Sequence, residues 1–119
     1  MPDYQKIQDE LRAPAKALRG HIPEVYSGFV NTSRAALSDG ALPAKFKELL
    51  ALAIAVVKRC DGCIVAHSKG ALRAGATEEE VAEALGVTIL MDGATATVYA
   101  PRALEAYQQF KQSRSQEAL

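Results

Sequence analysis

The sequence predicts an all-α domain, and three observations carry that prediction. Apolar residues recur at helical spacing almost from end to end. Helix start and stop signals fall between the periodic stretches. Half of the residues are apolar, yet aromatics make up only 6% and Trp is missing; Ala, Leu, Val and Ile dominate, which suits close helix packing better than a sheet core. About six helices are expected in a single domain over residues 1–119. Folding at this size buries only about two-thirds of the unfolded chain's surface.

Residues 3–19 carry Tyr4, Ile7, Leu11 and Leu18 on a helical repeat, with Pro14 expected to break it. Pro23 suits the first position of a second helix, where its missing N–H does no harm. That helix carries Val25, Tyr26, Phe29 and Val30 and runs to Leu37, before a turn at Ser38-Asp39-Gly40. Pro43 opens a third helix, KFKELLALAIAVVK, which is apolar on every side from Leu49 to Val57 and is expected to be buried all round. The alternating alanines and charged first turn favour a helix there over a buried strand. The chain reverses around Arg59–Gly62, and a fourth helix runs to Ala74 with Gly75 as its stop. Thr77 and Glu80 form a capping box that starts a fifth helix through Leu85. A sixth runs from about Asp92 to Gln112, with a small-residue start at 93–97, a kink expected at Pro101 and fraying over the last half-dozen residues. The third helix, the stretch GVTILM at 86–91 and the small-residue face of the sixth offer more apolar surface than so small a monomer needs. A homo-oligomer is therefore expected.

Fourteen basic and fourteen acidic residues cancel, and neither end is a basic block. That argues against nucleic acid or an anionic membrane as partner. The beginning MPDYQKIQDE is polar rather than signal-like, and no apolar run approaches the ~20 residues of a membrane span. The expected compartment is the cytoplasm, where a permanent structural disulfide is unusual and a C-x-x-C pair points to catalysis or metal binding.

The only two cysteines stand in Cys60-Asp61-Gly62-Cys63, and His67 follows four residues later. Two thiols at this spacing can close a small disulfide ring, and the step from Cys63 to His67 is one helical turn, so the imidazole can take the thiol's proton. The positive end of a helix starting near Asp61, together with Lys58 and Arg59, favours a thiolate. Asp61 opposes it by proximity but would order the turn as an N-cap. Spacing makes Cys63 the sulfur that His67 can reach, hence the attacking one, and Cys60 the sulfur that closes the disulfide.

At these residues the sequence resembles the alkylhydroperoxidase D (AhpD) and carboxymuconolactone decarboxylase family. The match runs from about Pro43 to Asp92. It takes in Glu48 of KELLALAIAV, the core from Cys60 to His67, Ala71, and Gly75 to Val81. The decarboxylase branch commonly lacks the cysteine pair, so both cysteines favour thiol chemistry. The resemblance implies an all-helical fold, trimers or hexamers, and reduction of a small organic hydroperoxide or a disulfide. In that chemistry Glu48 and His67 form a proton relay to Cys63, a dithiol reductant restores the pair, and no metal or organic cofactor takes part. AhpD itself is longer and has a second histidine between its cysteines, where this chain has Gly62.

Glu48 rests on resemblance more than on spacing. It precedes Cys60 by twelve residues, about 18 Å along one helix. Reaching the dithiol needs a chain reversal near residue 60 and a helix crossing, or a glutamate from a neighbouring subunit. Glu48 is either an early-helix charge that suits the dipole or a buried functional acid. Other readings stand beside the peroxidase. One is a lyase of the decarboxylase type with His67 as acid and base. Another is a non-catalytic module that senses redox state or holds zinc through Cys60, Cys63 and His67 with Glu48 or His21. The cysteines could also be plain buried residues and His67 a packing residue. His21 reads as a surface loop residue, the acids at 78–80 as cap and solvent face, and Tyr26, Tyr99 and Tyr107 as core or interface.

Overall fold

The computed structural model describes residues 2–117 and shows an all-α fold with no strand among them. Six helices follow in order: α1 Tyr4–His21, α2 Pro23–Leu37, α3 Ala44–Lys58, α4 Asp61–Arg73, α5 Glu78–Asp92 and α6 Ala94–Glu117. None is long and apolar enough to cross a membrane.

The helix ends are set by local chemistry. The Asp3 carboxylate caps α1 by accepting from the Lys6 N–H. Pro23 starts α2. At α5 both halves of the capping box are made: the Thr77 hydroxyl accepts from the Glu80 N–H at 3.1 Å, and the Glu80 carboxylate accepts from the Thr77 N–H at 2.8 Å. That backbone bond, followed by the Lys45 ammonium, holds the Glu80 carboxyl below its usual range. Gly75 takes a positive φ of 88° just past α4, which a side chain would resist.

Several boundaries differ from expectation. α1 runs through Pro14 unbroken, because Pro14 is exposed and water can satisfy the carbonyl its ring leaves unpaired. His21 is the last residue of that helix rather than part of a loop. Pro43 is the N-cap of α3 rather than its first residue. α5 continues past Leu85 to Asp92, taking up GVTILM, and ends only at Gly93, with φ 72°. α6 passes through Pro101 and stays helical to Glu117, so the predicted fraying is not seen at 114–117; residues 118–119 lie outside the described residues.

α3 packs on α4, α5 and α6, α6 packs in turn on α4 and α5, and α1 lies across α4 and α6. The core draws Leu52 and Val56 from α3, Ile64 from α4, Val81 from α5, and Tyr107 and Phe110 from α6. α3 is not buried all round: Leu50 and Ile54 remain 48% and 49% exposed while Leu49, Leu52, Ala55 and Val56 face inward. In α6 the stripe Ala96, Ala100, Ala103 and Ala106 lies inside the chain's own core, so that small-residue face is not surplus surface. The Tyr107 hydroxyl donates to the Ala76 carbonyl at 2.7 Å and ties α6 to the turn before α5.

Tyr4 is fully buried, and its hydroxyl finds no hydrogen-bond partner among the described residues. Burial pushes its phenol up to about 12, and the Asp61 carboxylate adds to the effect. The fold resists ionising this phenol, so stability is undiminished below the unfolded value near 10 and is lost as pH climbs through 10 toward 12. Urea midpoints should therefore fall over this window. Tyr4→Phe should flatten the fall, and at pH 7 should be neutral or stabilising by up to about 1 kcal/mol, since it removes an unsatisfied buried group.

Candidate active site

α3 ends at Arg59, which adopts the left-handed conformation (φ 55°, ψ 44°), and its N–H closes back on the carbonyls of Ala55 and Val56. This conformation is uncommon for a residue with a side chain. The Arg59 guanidinium reaches Asp92 at the end of α5 at 3.3 Å, which anchors the corner. Cys60 follows at once as the N-cap of α4, its Sγ accepting from the Cys63 N–H at 3.2 Å. Asp61 is thus the first helical residue, not the cap. Its carboxylate accepts from the Tyr99 hydroxyl at 3.4 Å. Cys60 and Cys63 are joined as a disulfide, with Cα atoms 5.2 Å apart.

The corner at Arg59 also settles how far Glu48 can reach. Glu48 precedes Arg59 by eleven residues and Gly70 follows it by eleven, so with α4 folded back on α3 the two stand level. A Cβ built on Gly70 would collide with the Glu48 carboxylate. The carboxylate therefore lies against bare backbone and extends toward the corner, where its Oε2 meets the His67 Nδ1 at 2.8 Å. Glu48 is only 9% exposed. It is a buried acid with a partner in its own chain, not an early-helix surface charge. His67 lies one turn beyond Cys63 on α4, a spacing that puts the two residues on the same face of the helix.

The four predicted residues thus form two pairs, the bonded Cys60–Cys63 and the contacting Glu48–His67, and one turn of α4 separates Cys63 from His67. Among the described residues no three His, Cys, Asp or Glu side chains are grouped to hold a metal ion, and His21 is exposed at the far end of α1. The sequence reading missed Gly70, whose signal is a glycine inside a helix without a turn to explain it. It also missed the part played by Arg59 and Asp92. Gly62, where AhpD has histidine, has its own neighbour: a Cβ there would stand 3.3 Å from Leu11 Cδ1 of α1.

Residues 23–106 match the Carboxymuconolactone decarboxylase family, most of the chain and all of the site. The chain belongs to that family. The chain is 46% identical over 102 residues to an uncharacterized protein of Cupriavidus necator, covering 86% of this chain and 90% of that one. The crystal structure of an apo family member from Legionella pneumophila superposes with a TM-score of 0.86 at 40% identity, over 90% of this chain and 96% of that one. A Thermotoga maritima family member, for which a part in the antioxidative response has been suggested, superposes with a TM-score of 0.69 at 30% identity, over 76% and 94% of the two chains. The family is thus the one whose residues the C-x-x-C-x-x-x-H segment resembles, with an AhpD-like core.

Proposed function

We propose that this family member is a thiol-dependent peroxidase that reduces small organic hydroperoxides, or disulfides, through Cys60 and Cys63. The observation that carries this is the 2.8 Å contact between Glu48 and His67, one turn from a cysteine whose partner is close enough to bond with it. Neither a packing role nor a surface charge calls for a buried carboxylate on that imidazole. With Nδ1–H donated to Glu48, Nε2 is left as the proton acceptor.

The cycle begins from the reduced pair. His67 takes the Cys63 proton, and the thiolate attacks the outer oxygen of ROOH. The O–O bond breaks, Cys63 becomes sulfenic acid, and the alkoxide leaves with the proton from His67 as ROH. Cys60, stabilised as an anion at the α4 N-terminus, attacks the Cys63 sulfur; hydroxide leaves and is protonated to water, and the disulfide forms. A dithiol reductant reopens it by exchange, with Cys60 as the leaving thiolate, and departs as its own disulfide. Net, one hydroperoxide and one dithiol give an alcohol, water and a disulfide. The part in antioxidative response suggested for the Thermotoga relative fits this chemistry.

The reaction needs no organic cofactor. The partners proposed are the hydroperoxide, a dithiol and further copies of this chain, trimeric or hexameric in the cytoplasm. The test is peroxide consumption with dithiothreitol as reductant, with a dimedone-type trap and mass spectrometry to locate sulfenic acid. Turnover with the trap on Cys63 is the expected result. Decarboxylation of a lactone acid that survives loss of both cysteines would establish the lyase instead.

A further inference from the structure

We infer that α2 of one copy docks into the groove between α3 and α5 of a second copy. This deepens the self-association proposed above and gives it a surface.

α2 is a 15-residue helix with no buried residue. An isolated helix of this length is marginal in water, and most helices in proteins are held by a packed apolar face. Here that face is present and uncovered: Val25 and Phe29 are 65% and 69% exposed, and Val30 lies beside them. The chain as a whole is also too open for its length. Its accessible surface is 7553 Å², about 1,300 Å² above what a compact monomer of this mass shows. Its radius of gyration is 14.7 Å, against about 13.5 Å for a compact domain. The excess is of the size that one partner buries in a standard protein interface, about 800 Å² or more.

The other half of the contact lies on the same chain. Phe46, Leu50 and Ala53 of α3 face Ala84 and Val87 of α5 across an open groove of about 400 Å³. Phe46, Leu50 and Ala53 recur at three- and four-residue steps, as Val25 and Phe29 do on α2, which is the spacing at which helix ridges and grooves interlock. The rims are complementary in charge. Arg19 and Arg34 flank the apolar face of α2, whereas Glu80 (itself paired with Lys45) and Glu83 flank the groove. An apolar helix edged by cations and an apolar groove edged by acids, both open on one neutral chain, identify the occupant as a second copy.

Light scattering after size exclusion reads the outcome, since mass reports assembly without peroxide turnover. Wild-type protein should be an oligomer. Phe29→Asp (arm) and Val87→Asp (groove) should each lower the mass to about one chain while far-UV circular dichroism stays helical, as both residues are exposed. An equimolar mixture of the two should recover dimers, because one intact arm and one intact groove remain. Monomeric wild type, unchanged mass in either variant, or a mixture that stays monomeric would overturn the assignment. Should an aspartate variant unfold, the rims decide. Arg34→Glu should weaken assembly and adding Glu83→Arg should restore it; no effect of Arg34→Glu would be contrary. Assembly lost with chemistry intact, and the reverse, are separate results.

Discussion

Cys63→Ser is expected to cut thiol-dependent peroxide consumption to background, a loss of about a hundredfold or more, with no sulfenic acid trapped anywhere on the chain. Cys60→Ser should also stop turnover, but at a different step. Its Cys63 can still attack hydroperoxide once, so about one equivalent is consumed per chain and the sulfenic acid persists, because the sulfur that would condense with it is gone. The asymmetry follows from position. Cys63 stands one turn before His67, whereas Cys60 caps α4 and accepts from the Cys63 N–H. The proposed cycle uses both sulfurs but assigns the imidazole to Cys63 alone. Quantitative peroxide assays and intact mass of each variant check this; a persistent sulfenic acid on Cys60 in Cys63→Ser would reverse the assignment.

The second large effect is at Gly70. Within a helix, Gly→Ala ordinarily stabilises by up to about 1 kcal/mol. Gly70→Ala should do the opposite and destabilise by about 1–3 kcal/mol, because its methyl group meets the Glu48 carboxylate and must push a buried acid from its partner. Peroxide turnover should fall together with stability. The double variant Glu48→Ala, Gly70→Ala removes the clash and should regain much of the lost stability over Gly70→Ala alone, while remaining slow. Such non-additivity is the mark of groups in contact. Chemical denaturation of the four proteins in this cycle measures it, and a stabilised Gly70→Ala would remove the glycine from the site.

The helices were legible in the sequence because their signals are local. Pro23, the Thr77–Glu80 box and Gly75 each fix a backbone conformation regardless of what packs nearby, and all three stand where expected. Pro14 and the end of α5 were misread because exposure and tertiary support decide them. A proline on a solvated face costs a helix less than one in the interior, and after Leu85 the helix continues through Gly86, a local weak point, for seven more residues. The burial of α3 was overestimated for a related reason. An apolar run reports what a surface prefers, and Leu50 and Ile54 show that it does not report whether the same chain supplies the cover.

The site divides in the same way. Cys60, Cys63 and His67 lie within eight residues, so helical spacing alone set their relation. Glu48 depends on a corner at a left-handed Arg59, on Asp92 from another helix and on the missing side chain of Gly70. None of these is a spacing rule. Only the folded chain shows that eleven residues on either side of one corner bring a carboxylate level with a glycine, one turn from the imidazole.

The proposal that the Glu48–His67 pair activates Cys63 is tested most directly by the pH dependence of alkylation in the reduced protein, with each cysteine followed separately by mass spectrometry. In the wild type, Cys63 should alkylate rapidly at a pH well below that at which free cysteine reacts, and His67→Gln and Glu48→Gln should each move its profile upward. Slow alkylation of Cys63 at the pH of free cysteine, unmoved by either substitution, would contradict it.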